Sequence, residues 1–203
     1  MKTKFFNSHE QNLWFTSDLH LMHENIIKYC NRPFCDRKEM DTTLVENWNS
    51  VISEKDVVFV TGDLIMDRST KSWNYFIHKL NGFIWLIKGN HDHEKAIPIS
   101  IYNKFDWIDG FLNIKVRDTE IDGNIQYITL CHYPMLSWYQ SHHGSWQLFG
   151  HIHSGKLSTS MEVPQINPKL SCRQLDIGVD AHNFFPLHWT QIKEIITKQC
   201  LKK

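Results

Sequence analysis

The chain has 203 residues, 41 % of them apolar and 22 % charged, a composition that suits a single folded domain over residues 1–203 and not a disordered chain. Its 22 basic side chains are matched by 22 acidic ones, which argues against a protein that coats nucleic acid through many phosphate contacts and leaves room only for a local basic or metal-lined groove. No stretch reaches the ~20 apolar residues needed to cross a bilayer, and residues 1–12 lack an apolar signal segment, so a cytoplasmic protein with no membrane partner is expected. The five cysteines, Cys30, Cys35, Cys131, Cys172 and Cys200, are odd in number and form no C-x-x-C pair. Reduced thiols are expected, not a zinc ribbon or a disulfide framework. The unusual counts are 13 His and 8 Trp, and their meaning depends on where they fall.

Residues 13–17 read as a short buried strand. Residues 24–30 have helical spacing that Pro33 stops, and residues 38–52 repeat apolar side chains on one helical face. Residues 57–60 are apolar, mostly β-branched and bounded by Asp56 and Thr61-Gly62, hence a strand. A helix over 70–80, a break at Asn81-Gly82 and a strand over 83–87 follow. Strands alternating with helices predict an α/β unit with parallel pairing. The second half reads as strands over 111–116, 125–130, 147–149 and 174–178, with a hairpin turn at Asp122-Gly123-Asn124. Residues 156–172 read as a surface loop, and residues 190–198 as a terminal helix.

Five polar clusters lie at the C-terminal ends of these predicted strands: Asp18-x-His20, Gly62-Asp63, Gly89-Asn90-His91-Asp92, His132, and Gly150-His151-x-His153. In α/β folds the loops leaving strand tips converge there to form sites. In extended backbone, Asp18 and His20 point the same way and can chelate one ion together, as can His151 and His153. Two ions about 3.5–4 Å apart need a bridging ligand, and the Asp63 carboxylate supplies two oxygens. Mixed His and carboxylate ligation suits manganese, iron or zinc better than calcium or magnesium. Gly62, Gly89 and Gly150, directly before Asp63, Asn90 and His151, fit tight strand-to-loop turns that call for positive φ.

These blocks, in this order, resemble the calcineurin-like metallophosphoesterases, whose signature runs D-x-H, G-D, G-N-H-D/E, H, G-H-x-H. The match spans residues 18–153. A small bacterial and phage subgroup is similar through His23-Glu24-Asn25-Ile26-Ile27, His132-Tyr133-Pro134, Gly178-Val179-Asp180 and Pro186. The resemblance implies a four-layer α-β-β-α sandwich. It implies one divalent ion held by Asp18, His20, Asp63 and His153, and a second held by Asp63, Asn90, His132 and His151. The ions would be manganese foremost, with iron, zinc or nickel as alternatives. It also places His91 near the leaving group without a bond to metal. Two cations lower the pKa of bound water toward ~7 and screen the phosphate oxygens, so the implied reaction is phosphate-ester hydrolysis on a small molecule or nucleotide, by a metal-bridging hydroxide. The alternatives are a nuclease acting on DNA or RNA ends, which the neutral charge disfavours, and a non-catalytic scaffold of the same fold.

Substrate contacts are read less specifically. His23 follows the first block and serves either the site or a helix face. Asp67-Arg68 is offset by one residue from the G-D-x-x-D-R pattern of the protein phosphatases. A solvated pair is therefore the default, and Arg68 as a phosphate contact the alternative. Among the aromatics between the fourth and fifth blocks, Tyr133 and Trp146 read as packing residues, while Trp138 and Tyr139 suit either packing or stacking on a flat leaving group. Asp92 serves either an imidazole or its own loop, and His93 is a loop residue. Neither the oligomeric state nor the biological substrate is specified by the sequence.

Overall fold

The computed structural model describes residues 3–92 and 96–202, apart from the side chain of Asp122; His93, expected in a loop, lies outside the described residues. In chain order the elements are β1 (Lys4–Asn7), β2 (Leu13–Thr16), α1 (Glu24–Tyr29), α2 (Arg37–Val51), β3 (Val57–Val60), α3 (Thr70–Ile77), β4 (Phe83–Ile87), β5 (Trp107–Asp109), β6 (Leu112–Arg117), β7 (Ile125–Leu130), β8 (Trp146–Phe149), α4 (Val163–Ile166), β9 (Gln174–Asp176), β10 (Leu187–His188) and α5 (Trp189–Leu201).

They form a mixed α/β structure with two five-stranded sheets, ordered β10-β2-β3-β4-β5 and β1-β6-β7-β8-β9. In the first sheet β2 to β5 run parallel and β10 is antiparallel. Its strands are apolar on both faces, as a parallel sheet covered on both sides demands. Val58, Val60, Ile84 and Leu86 pack against Met40, Leu44 and Trp48 of α2 and Trp73 and Phe76 of α3. Leu13, Phe15, Val57 and Phe59 point the other way, into one core shared with Leu112, Ile114, Ile128, Leu130 and Leu148 of the second sheet. Trp189, Ile192 and Ile196 of α5 join that core.

The outer face of the second sheet is polar and buried. Thr129 Oγ1 donates to Asn113 Oδ1 at 2.8 Å, and Gln174 Nε2 donates to Gln147 Oε1 at 2.6 Å. The loop after β7 lies on this face, because Gln147 Nε2 donates to Tyr133 O and Met135 N donates to Gln147 Oε1, at 2.8 and 3.0 Å.

Three differences from the sequence reading have physical causes. β1, β5 and β10 are short edge or near-edge pairings of distant segments, such as Lys4 with Ile114, and carry no local pattern. The expected hairpin turn is a longer connection over residues 118–124, with Gly123 and Asn124 at φ 76° and 58°. The thiols are not all reduced. Cys172 and Cys200 are joined in a disulfide, their Cα atoms 5.0 Å apart, which ties the loop before β9 to α5. Cys30, Cys35 and Cys131 are free. Among the described residues no helix is long and apolar enough to cross a membrane.

Candidate metal centre

The parallel strands end flush. Thr16 pairs with Val60 and Val60 with Leu86, so β2, β3 and β4 release their chains at one rim. In the second sheet Leu130 pairs with Leu148, and Phe149 with Asp176. A parallel bridge between Ser17 and Gly178 draws the two rims together. All five polar clusters therefore meet at the seam between the sheets.

The backbone there departs from the extended form that the sequence suggests. Asp18, His20, Asp63, His151 and His153 have φ of 57°, 52°, 54°, 73° and 51°. Asp18 and His20 thus converge through left-handed turns, not through strand alternation, and so do His151 and His153. Asp and His are among the residues that tolerate this region best. Of the preceding glycines only Gly62 has a positive φ, +105°. Gly89 and Gly150 are needed for close approach: a Cβ at Gly89 would overlap Asp63 Oδ1, and one at Gly150 would overlap Ser17 Oγ and Asp18 Oδ2.

Asp63 Oδ2 is the focal atom. It lies 3.6 Å from His20 Nε2, 3.5 Å from His132 Nε2 and 4.0 Å from His91 Nε2, while Oδ1 accepts from His91 N at 3.0 Å. His132 Nδ1 donates to Thr61 O at 2.7 Å. In the neutral ring that fixes the proton on Nδ1 and turns the Nε2 lone pair toward Asn90 Oδ1, at 2.8 Å. His151 Nδ1 faces the same Asn90 oxygen at 3.0 Å. On the other side His153 Nδ1 donates to Asp180 Oδ2 at 2.8 Å, and Asp18, His20 and His153 offer one ligand atom each within 4.8 Å of one another, as do Asp18, Asp63 and His132.

Burial sets the proton affinities. It pushes the Asp18 carboxyl up to about 6, and the Asp92 carboxyl also up to about 6 with help from Asp63. It drives His20 well below the usual imidazole value, with neighbouring His153 and Arg32 adding to the effect. For His153, burial works in the same sense, but hydrogen bonds to Asp180 and Cys30 outweigh it and raise the ring to about 11.

The structure brings together all seven ligand candidates, Asp18, His20, Asp63, Asn90, His132, His151 and His153. It also brings His91, half-open at the mouth, and His23, whose Nδ1 lies 3.3 Å from His20 Nδ1. It does not bring Arg68, which is exposed and makes no ion pair among the described residues, while Asp67 caps α3 through Ser69 and Ser72. Trp138 and Tyr139 lie toward the far end of the second sheet: Trp138 Nε1 donates to Ser145 O at 3.2 Å, and the Tyr139 ring contacts Tyr127 near the start of β7. Trp146 is in the core, as read, but Tyr133 is not. Asp92 proves to be a loop tie, with Oδ2 accepting from Asp63 N and Gly89 N.

Other residues escaped the sequence reading. Arg32 and Asp180 form a buried ion pair behind His153, at 2.8 Å. Glu162 Oε2 lies 3.4 Å from His151 Nε2. A lone Arg after a helix carries no local signal. Asp180 had one, its place in the Gly178-Val179-Asp180 block.

The chain matches the family model described as calcineurin-like phosphoesterase over residues 12–155. It is 36 % identical over 187 residues to an uncharacterized protein from Methanocaldococcus jannaschii, covering 92 % of each chain. To the Gene 66 protein of Mycobacterium phage L5 it is 29 % identical over 193 residues, covering 84 % of this chain and 87 % of the phage protein. The crystal structure of a protein of unknown function from Aquifex aeolicus superposes with a TM-score of 0.64 at 21 % identity, over 91 % of this chain and 99 % of that one, a likeness of fold.

Proposed function

We propose that this chain, which belongs to the calcineurin-like phosphoesterase family, hydrolyses phosphate esters with two divalent transition-metal ions, manganese foremost. The donor set fits such ions. Asp18 Oδ1 and His20 Nε2 are buried without a hydrogen-bond partner, and an orphaned buried acceptor facing other acceptors is costly unless a cation joins them. Mixed imidazole, carboxylate and amide oxygen donors suit a transition metal. Asp18, His20, Asp63 and His153 would hold one ion, and Asp63, Asn90, His132 and His151 the other. When bound, the pair supplies hydroxide near neutral pH and offsets the charge of the phosphate oxygens.

The observation that carries this reading is Asp63 Oδ2, set between His20 Nε2 and His132 Nε2 at 3.6 and 3.5 Å. One carboxylate oxygen facing two imidazoles from opposite sheets is what a bridging ligand requires. The remaining side chains position and donate. Asp180 and the Thr61 carbonyl hold the His153 and His132 rings by their outer nitrogens, which fixes tautomer and orientation. His91 binds its backbone N–H to Asp63 Oδ1 and keeps a partly exposed ring at the mouth, where it can donate to a departing oxygen.

The test is metal content and turnover of protein reconstituted with manganese. Two equivalents per chain and metal-dependent hydrolysis of a phosphate ester are expected. Asp63→Asn should lose both ions and at least ~100-fold in rate. Protein that retains no metal and cleaves no ester after reconstitution would overturn the reading in favour of a binding scaffold.

A further inference from the structure

Tyr133 stands at the mouth of the centre, its ring 4.5 Å from that of His151 and 5.1 Å from that of His132. It belongs to neither hydrophobic core and is 46 % exposed. Its position is nevertheless fixed from behind, because the buried Gln147 donates to its carbonyl and is itself bound by Gln174. Tyr29, the last residue of α1, is 62 % exposed. Its ring lies 6.3 Å from that of His23, which lies 5.4 Å from that of His20. His20 and His132 are the two rings that face Asp63 Oδ2. The two open tyrosines therefore flank the position at which a phosphate would bind.

The stretch between Thr159 and Glu162 closes one side of this mouth. Thr159 Oγ1 donates to Tyr29 O at 2.9 Å, and Glu162 reaches His151. The His91 ring, partly exposed, stands at another side. A phosphate carrying a flat group on each side would meet an aromatic face at both.

We propose that Tyr133 and Tyr29 are stacking platforms and that the substrate is a phosphodiester joining two nucleosides, one base on each platform. Every base presents a π face, so stacking binds it with little regard to identity. The proposal rests on the phosphoesterase reading above and selects the diester within it.

The test compares a thymidine dinucleoside monophosphate with glycerophosphoglycerol, a diester with neither flat groups nor a cation, on manganese-loaded wild-type protein and on Tyr133→Ala, Tyr29→Ala and the two Phe variants. Each Ala variant should lose about 5- to 100-fold in kcat/KM on the dinucleoside, mainly through KM, while the Phe variants stay within about twofold. All four should cleave the glycerol diester like wild type. Equal losses on both diesters, or none on the dinucleoside, would overturn the platforms and leave the phosphoesterase intact. If wild type cleaves neither diester but turns over a phosphomonoester, the dinucleoside proposal fails and the phosphoesterase stands; if it cleaves no phosphate ester, the phosphoesterase reading is what fails. Calorimetric binding of the dinucleoside to the manganese-loaded protein that does not cleave it, with and without Tyr133→Ala, then decides the platforms: weaker binding without the tyrosine supports them, and equal binding overturns them.

Discussion

Arg32 grips Asp180 with two parallel hydrogen bonds, Nε to Oδ1 and Nη2 to Oδ2, each 2.8 Å long. The same guanidinium donates to the carbonyls of Asp18 and Leu19 at 2.7 and 2.9 Å. One buried side chain thus fixes the left-handed turn of the first cluster and the acid that orients His153. Burial pushes the Asp180 carboxyl up, but Arg32 and the His153 hydrogen bond outweigh it and hold the group below its ordinary value.

Arg32→Met should therefore act at a distance from the ions. It leaves the buried Asp180 carboxylate with His153 as its remaining charged partner, a loss of up to about 3–5 kcal/mol, visible in urea denaturation. Manganese affinity of the site containing His153 should fall about 10- to 100-fold. Arg32→Lys should not rescue it, since an ammonium cannot reproduce the two-pronged geometry. Wild-type stability and metal affinity in Arg32→Met would remove Arg32 from this role.

His91→Ala should keep both ions and lose about 10²- to 10⁴-fold in turnover. The damage should be greater on alkyl esters, whose leaving oxygen needs a proton, than on nitrophenyl esters, whose leaving group carries its own charge. A structural role predicts the opposite pattern, depleted metal and equal damage on both. Metal analysis alongside rates on the two ester types separates these outcomes.

Metal binding should weaken in acid with a break near the Asp18 value. Burial raises that carboxyl to about 6, so below this pH the metal-free site holds a proton that the ion must expel. Affinity should fall about tenfold per pH unit there through Asp18 alone, and this contribution should vanish above it. The His153 ring, raised to about 11, keeps its second proton at neutral pH, so binding near pH 7.5 should release about one proton. Calorimetry in buffers of different ionisation enthalpy reads that release. A slope that stays constant from pH 5 to 7, with no break near 6, would contradict the assignment of Asp18.

Gly150→Ala should cost about 1–3 kcal/mol and disturb metal binding, because the added methyl would overlap Asp18 Oδ2 and Ser17 Oγ. Gly110→Ala is the control: nothing lies within 4 Å of its Cβ position, so a change within about 0.5 kcal/mol is expected. Equal thermal stability of the two variants would show that the rim at Gly150 yields more easily than its contacts imply.

The sequence makes the central strands legible because β3 and β4 are runs of buried apolar residues cut off by polar ones, and the cut-off itself marks the site. It misleads on local geometry. Alternation in Asp18-Leu19-His20 looks like strand spacing, yet both ends adopt left-handed turns that no periodicity encodes. Tyr133 reads as a packing residue because it sits among aromatics. Its exposure depends on Gln147 and Gln174 holding the loop from the outer face of the sheet, a contact between segments far apart in the chain. The Cys172–Cys200 pair is hidden for the same reason, since a separation of 28 residues says nothing about which loop lies on which helix.

Left-handed backbone at Asp18, His20, Asp63, His151 and His153 sets folding and function against each other at the same five positions. Each such residue costs about 1–2 kcal/mol that glycine would not. Glycine would relieve that strain in the metal-free protein, against the loss of contacts such as His91 N to Asp63 Oδ1 and His153 to Asp180, and would delete a proposed ligand. Engineering for heat resistance faces the same opposition: substitutions ranked by the stability of the empty protein would favour removing the residues on which the proposed chemistry depends, and ranking them in the presence of manganese would reverse that preference.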